Sequence, residues 1–177
     1  MRRFVFVSLA VLLLPRFAIA QDRERSQETL KGIKSVNVVI DLSGVNQAAN
    51  FGLDEETVRT DTELQLRLAG VAVTSDTLDP LLGVVINGME AVKGRFYFYV
   101  VEVQLYQPVV LMRDVSIRTD AITWSTSTML GLGRETLPAS LREAIKDQTD
   151  VFVNGLLAAN PKSPSEKQGE SQRSTPP

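Results

Sequence analysis

Hydrophobic and polar positions first divide the chain into a β-α-β unit. Residues 35–42 are rich in β-branched side chains, which predicts a strand buried on both faces. Residues 54–69 have helical character and stop at Gly70, a residue well suited to a helix C-cap. A short second strand is predicted at residues 71–74. These three elements, joined by short links, favour a right-handed parallel crossover.

An antiparallel hairpin is predicted next, from residues 84–92, a turn at Lys93–Gly94 and a long strand beginning at Phe96. The odd positions of this long strand stay apolar, whereas its even positions change from aromatic to polar at Glu102. One face is therefore expected to lie in the core, while the other turns toward solvent halfway along. Pro108 indicates an edge position or a bulge.

A further strand and a closing helix complete the pattern. Residues 121–129 predict the strand, and a loop is expected at Gly131–Gly133. Thr136 is the expected N-cap of a helix with one apolar face, which ends at Asn160. The order of elements predicts an α+β fold. It is a single two-layer sandwich of a β-α-β unit, long antiparallel hairpin strands and a C-terminal helix packed on the sheet.

The two ends of the chain are expected to lie outside the folded unit. Residues 1–20 have a basic start, an apolar run and the small residues Ala18 and Ala20, a pattern typical of a cleaved signal peptide. Residues 21–29 and 161–177 contain too little apolar surface to offset chain entropy, which predicts a disordered linker and a disordered tail. A single domain at residues 30–160 remains. We therefore expect a periplasmic or secreted protein that is not inserted in a membrane after cleavage.

Composition excludes several kinds of chemistry. The sequence contains no Cys and no His, which excludes disulfides, Cys/His zinc sites and nucleophilic triads with a His base. Its 19 basic and 21 acidic residues give a net charge of −2, so no nucleic-acid partner is expected. We expect no cofactor and no metal. The absence of a recognisable nucleophile motif favours a protein that is not an enzyme.

Several segments resemble a family of secreted bacterial proteins of uncharacterised function. They are Leu30–Val36, Thr60–Arg67 with Gly70, Trp124–Thr126, Phe152–Asn154 and Leu157–Pro161. The resemblance covers most of residues 30–161 and implies no activity. The topology more weakly resembles small envelope domains of the curli secretion channel subunit, the TolB N-terminal domain and the penicillin-binding protein activators. That resemblance implies a binding or assembly module with an envelope protein as its partner, although the chain lacks the lipid-anchor cysteine of the curli subunit and the activators.

Asp61 is the first candidate binding residue. It falls within the apolar arc that Val58, Leu66, Leu68 and Ala69 define on the predicted helix. A buried carboxylate needs hydrogen-bond donors or a shifted pKa. Asp61 is therefore expected either to accept hydrogen bonds from a neighbouring loop or Arg, or to face a ligand.

Further candidates lie on the predicted strands. Glu102 and Gln104 occupy the half-polar face, and Asn87 and Glu90 are expected to approach them across the hairpin. Paired carboxylates can perform general acid–base chemistry or bind Ca²⁺, although a solvated sheet face is the simpler interpretation. Trp124, beside four hydroxyl side chains, can bind a sugar or a peptide or can belong to the core.

These observations favour an exported, non-catalytic envelope protein that binds or assembles through a sheet edge or the half-polar face. One alternative is a hydrolase that uses carboxylates among Asp61, Glu90 and Glu102, which requires two of them in one cleft. Another is a carrier of a small apolar ligand between sheet and helices, which requires a pocket of at least about 300 Å³.

Overall fold

The computed structural model describes residues 26–45, 53–92 and 95–161. The predicted signal peptide, the predicted turn at Lys93–Gly94 and nearly all of the predicted C-terminal tail lie outside these residues. The elements are β1 (Ser35–Gly44), α1 (Glu55–Leu68), β2 (Ala72–Thr74), β3 (Leu81–Val92), β4 (Phe96–Leu111), β5 (Asp114–Gly133) and α2 (Leu137–Ala159). No helix in the described part of the chain has both the length and the apolar character needed to cross a membrane.

The strands form one mixed sheet in the order β2-β1-β3-β4-β5. β1 is parallel to β2 and β3, and the β3-β4-β5 portion is antiparallel. Both helices pack on the sheet, α1 against β1 and β2, and α2 against β4 and β5. The predicted α+β two-layer fold with a C-terminal helix is therefore confirmed.

The helices cover only one face of the sheet, and we call the other face the open face. Along β1, Val36, Val38 and Ile40 are buried, whereas Val39 and Asp41 are exposed. The prediction that this strand is buried on both faces is thus wrong. Its β-branched residues continue onto the open face, where no second layer of the described residues covers them.

Local signals position α1 as predicted. Asp54 is the N-cap, and its carboxylate accepts hydrogen bonds from the Thr57 backbone N–H (2.8 Å) and hydroxyl (2.7 Å). Gly70 follows the helix with φ +84°, a conformation that glycine adopts without steric cost. Val58, Thr62 and Leu66 form the buried face at intervals of four residues.

α2 begins at the predicted N-cap residue, Thr136, but this residue makes no side-chain capping bond. Its hydroxyl instead donates to the Gly133 carbonyl (3.2 Å). Pro138 lies in the first turn, where its missing N–H is not needed. The buried face of the helix provides much of the core: Leu137, Leu141, Ala144, Ile145, Thr149, Phe152, Val153 and Leu156.

Asn160 joins the end of α2 to the segment that precedes β1. Its side-chain oxygen accepts from the Gly32 N–H (2.6 Å), and its side-chain amide donates to the carbonyls of Leu30 (2.8 Å) and Leu156 (2.9 Å). Residues 26–28 form a helical turn, and the Thr29 hydroxyl donates to the Thr123 carbonyl on β5 (3.1 Å). Ordered structure therefore includes residues 26–29, which the sequence pattern placed in the linker.

The strands β4 and β5 are much longer than their neighbours. β3 pairs with β4 only as far as Leu81 opposite Tyr106, so residues 107–111 and 114–121 continue as a two-stranded ribbon. We call this ribbon the hairpin arm. Pro108 lies in it, at a position where β4 has no strand on its other side within the described residues, so the predicted edge position is confirmed.

The loop predicted at Gly131–Gly133 is wrong, because both glycines belong to β5. Gly131 pairs with Phe98 and Gly133 with Phe96. A Cβ on Gly131 would lie 3.1 Å from the Phe96 ring, so the aromatic side chains of β4 occupy the space above this glycine. The glycines have no side chains to cover the sheet, and the aromatic rings of β4 cover it instead. β5 can therefore continue through a sequence that is typical of a loop.

Candidate binding site

Asp61 is exposed on α1, so the prediction of a buried carboxylate is wrong. The predicted apolar arc included Leu68, which is 80% exposed, and excluded Thr62, which is buried. The helix is rotated relative to the predicted arc, and Gln65 reaches α2, where its amide donates to the Lys146 carbonyl (3.1 Å) and to the Asp150 carboxylate. Asp61 therefore lies at the rim of a cavity between the two helices.

Glu102 and Gln104 form a hydrogen-bonded row with Tyr106 along the open face of β4. The Tyr106 hydroxyl donates to the Gln104 side-chain oxygen (2.6 Å), and the Gln104 amide donates to the Glu102 carboxylate (3.2 Å). All three side chains are half-buried. Each polar group in the row thus has a partner within the same strand.

The candidate carboxylates lie on separate surfaces. Glu90 pairs with Tyr97 on the helix-covered side of the sheet, whereas Glu102 lies on the open face. Asn87 is exposed on the open face, two residues along β3 from the residue that pairs with Glu102. Asp61 lies on α1, so the cleft with two carboxyls that the hydrolase alternative requires is not formed by these residues. Among the described residues there is also no group of three acidic side chains that could hold a metal ion.

Trp124 belongs mainly to the core. It is 8% exposed and packs edge-to-face on Phe152, with ring centroids 5.2 Å apart. Its remaining exposed edge faces a groove between β5 and α2.

This groove, the β5 groove, has a volume of about 670 Å³. Its wall on the sheet side is the outer edge of β5, and its wall on the helix side is α2. The Thr126 hydroxyl donates to the Gln148 side-chain oxygen across its base (2.8 Å). It is lined by Ser26, Gln27, Trp124, Ser125, Thr126, Ser127, Thr128, Gln148, Val151 and Gly155.

Along this groove, no strand in the described part of the chain pairs with the outer edge of β5. β5 is the last strand of the sheet, and backbone groups of an antiparallel strand point alternately to its two sides. The bond from the Thr29 hydroxyl to the Thr123 carbonyl marks the outward row, which continues at Ser125, Ser127 and Met129. Within the described ranges, no other strand bonds to this row.

The groove is electrically neutral. None of the residues that line it is charged, and β5 carries no charged side chain from residue 121 to residue 133. Val151 adds an exposed apolar side chain on the helix side. The arrangement therefore offers backbone donors and acceptors, hydroxyl groups and apolar surface, without a titratable group.

Sequence reasoning identified Trp124 and its hydroxyl neighbours but missed the helix wall. Gln148, Val151 and Gly155 lie on the α2 side of the groove, and no local pattern relates them to β5. One signal was available, because thirteen consecutive uncharged residues at 121–133 are unusual for an exposed strand. Because residues 131–133 were predicted to form a loop, the uncharged stretch of the predicted strand was shorter than it is in the structure.

A second cavity, of about 440 Å³, lies between α1 and α2. Its apolar wall includes Val58, Leu64, Leu68 and Ile145, and charged side chains of both signs surround it. The cavity exceeds the volume that the apolar-carrier alternative requires. It lies between the helices, however, whereas that alternative placed the ligand between sheet and helices.

No protein-family model matches the chain, and no curated protein sequence matches it. Solved structures with a similar arrangement include the PelC dodecamer from Paraburkholderia phytofirmans, at 12% identity and a TM-score of 0.39, covering 71% of this chain and 86% of PelC. They also include a minor lipoprotein from Acinetobacter baumannii, at 10% identity and a TM-score of 0.36, covering 72% of this chain and 93% of the lipoprotein.

Proposed function

We propose that this chain is an exported, non-catalytic module that binds an extended polypeptide segment in the β5 groove. The observation that carries the proposal is the unpaired backbone row at Ser125, Ser127 and Met129 beside a helix wall. An extended polypeptide presents its own donors and acceptors at the same spacing, so it adds to such an edge as a further strand.

The edge of β5 lacks the features that usually prevent pairing with other chains, and this supports the proposal. Proteins normally guard long edge strands with charges, prolines or covering loops, because unpaired edges associate with other chains. Between residues 121 and 133, β5 carries neither charge nor proline, and its one bulge precedes the groove at Thr123. An edge kept open over this length is consistent with one that is used for binding.

The lining of the groove indicates the chemistry of the partner. A charged side chain entering the groove would lose solvation without meeting an opposite charge. Small polar or apolar side chains match the hydroxyls of Thr126 and Thr128, which lie on the α2 side of β5, and the exposed side chain of Val151. The proposed ligand is therefore an extended, uncharged segment of another protein.

Export is supported by the amino-terminal pattern of the sequence. Two arginines, an apolar run and the small residues before position 21 match a signal that is cleaved during secretion. The proposed partner is accordingly a protein of the cell envelope or the exterior.

Selection from a peptide-display library, followed by backbone substitution, tests the proposal. Ser127→Pro removes one outward N–H, and proline is tolerated where that N–H does not serve the sheet. We expect Ser127→Pro to weaken binding of a selected peptide about ten-fold or more, and Ser127→Ala to leave it nearly unchanged. Circular dichroism verifies that both variants retain the fold.

Backbone methylation of the selected peptide gives an independent measurement. Only every second amide of an added strand faces β5. Methylation of the amides that face β5 should therefore abolish binding, whereas methylation of those that face away should leave it intact. Equal binding by wild type and Ser127→Pro would contradict the proposal. If Gln104→Ala alone weakened binding, the half-polar open face would be the site instead.

A further inference from the structure

Among the described residues, no third strand and no helix packs on the hairpin arm. A two-stranded ribbon is at best marginally stable in water, and a third strand or a packed face normally supports it. The ribbon nonetheless carries large apolar side chains that solvent reaches, including Met112 at 98% exposure. These exposed side chains on and beside the arm are Val110, Met112, Val115, Ile117 and Ile122.

Among the described residues, Arg118 and Asp120 of the arm carry opposite charges and have no ion-pair partner. Arg118 is paired in the ladder with Val110, and Asp120 is paired with Pro108, so neither faces a charge across β4. The ion pairs of the described residues are Lys31–Glu28, Arg67–Glu63 and Lys146–Asp150. Arg118 and Asp120 are two residues apart, so their side chains lie on the same face of the ribbon.

The two edges of the arm differ in their capacity to pair. Pro108 lacks an N–H and therefore interrupts any ladder along the β4 edge. On the β5 edge, the bulge at Thr123 shifts the alternation of backbone groups by one residue. Below this bulge the outward groups therefore belong to Ile122, Asp120 and Arg118.

We infer that a second copy of this chain pairs with the arm, β5 edge to β5 edge, in an antiparallel two-fold dimer centred on Thr119. In this register Arg118 lies opposite the partner's Asp120, and Asp120 lies opposite the partner's Arg118. Two cross-strand ion pairs form by one symmetry operation, and the two ribbons become a four-stranded sheet.

The charges select this register over its neighbours. A shift of two residues toward the tip would place Arg118 opposite the partner's Arg118, which brings like charges together. A shift of two residues toward the body would place Asp120 opposite the partner's Asp120, which also brings like charges together. Only the register centred on Thr119 pairs both charges.

The dimer extends beyond the proposed function, because it uses a different part of β5. Pairing centred on Thr119 runs along the arm as far as the bulge at Thr123, where the Thr29 hydroxyl bonds to the outer edge, and leaves residues 125–133 unpaired. The bodies of the two copies then lie at opposite ends of the joined arms. Each copy therefore retains a free β5 groove.

Charge reversal tests the inference by sedimentation equilibrium on the full chain without its predicted signal. We expect wild type to dimerise, and Asp120→Arg to raise the dimer dissociation constant about ten-fold or more, because both ion pairs become like-charge pairs. Combining Arg118→Asp with Asp120→Arg should restore dimerisation to nearly the wild-type value. Glu135→Arg, which makes the same charge change on an exposed turn outside the arm, should have no effect.

A cross-link at the symmetry centre tests the register directly. The chain has no cysteine, so Thr119→Cys introduces a single thiol. Residues facing each other in such a non-hydrogen-bonded pair have Cα atoms about 4.5 Å apart, within disulfide reach. Oxidation should give a covalent dimer for Thr119→Cys and none for Ser125→Cys.

A wild-type chain that remains monomeric at millimolar concentration would overturn the inference. So would a dimer that is unaffected by Asp120→Arg. These outcomes are independent of the peptide-binding proposal, since Ser127→Pro lies outside the paired segment and Asp120→Arg lies outside the groove.

Discussion

Asp54 begins α1 as a charged cap, which makes the stability of this helix depend on pH. Hydrogen bonds from the Thr57 side chain and then from its backbone hold the pKa of Asp54 below its ordinary value of 3.8. A carboxyl whose pKa is lowered by folding stabilises the native state fully above its unfolded pKa. That contribution disappears as the pH falls from about 3.8 through the lower, folded pKa.

We therefore expect the capping contribution of Asp54 to be constant at neutral pH and to shrink in acid. Asp54→Ala should lower the urea midpoint of unfolding at pH 7, and the difference from wild type should narrow as the pH falls below 3.8. Asp54→Asn keeps a capping side chain but has no titrating group. Its stability at pH 7 should be close to that of wild type, whereas the dependence of its stability on pH should differ. A difference that stays constant down to pH 2 would show that the carboxylate is not the stabilising group.

Residues such as Asp54 and Gly70 could be predicted because their roles are local. A cap bonds to a residue three positions away, and a glycine after a helix adopts its own conformation. Asp61 and Thr62 could not be assigned correctly. Which of them is buried depends on how α1 is rotated against α2, and α1 meets α2 through residues more than eighty positions away along the chain.

Among the elements, the strands were harder to predict than the helices. The segment at 114–120 contains three charged residues and is typical of a loop, yet it is a strand because β4 pairs with it in the arm. Gly88 shows a similar effect on β3. A Cβ there would lie 2.1 Å from the Tyr99 ring on β4, so the glycine serves a cross-strand contact that no local pattern predicts.

The contact between the end of α2 and residues 30–32 depends on a side chain that both donates and accepts. Asn160→Ala removes three hydrogen bonds and should destabilise the fold by about 2 kcal/mol in urea unfolding. Asn160→Asp should cost more, because a carboxylate cannot donate to Leu30 and its charge is unfavourable at a helix C-terminus. Equal stability of these two variants would show that the donor role is unimportant.

At the scale of the whole molecule, the fold has one covered face and one long uncovered edge. The sequence predicted the layers correctly, because the apolar positions of α2 and β4 follow their periods closely. It did not predict the β5 groove, which requires the strand order and the placement of α2 beside the last strand. The order places β5 at the edge, and only the folded chain brings Gln148 next to Thr126.

The hairpin arm should be separable from the body. Replacing residues 108–120 with Asn-Gly would join Gln107 to Ala121 through a two-residue turn suited to a hairpin. Because the removed strand residues pair only with each other, we expect a melting temperature within about 4 °C of wild type. Calorimetry measures this, and a loss of cooperative unfolding would show that the arm supports the body.

The position of α2 at the end of the chain also determines when folding can finish. This helix supplies Leu137, Leu141 and Phe152 to the core, and Asn160 then ties its end to residues that were synthesised first. Until the ribosome has released nearly the whole folded unit, α2 cannot cover the part of the inner face that β4 and β5 form. The nascent chain therefore lacks a complete core throughout most of its synthesis, and its cooperative folding must wait until α2 has emerged.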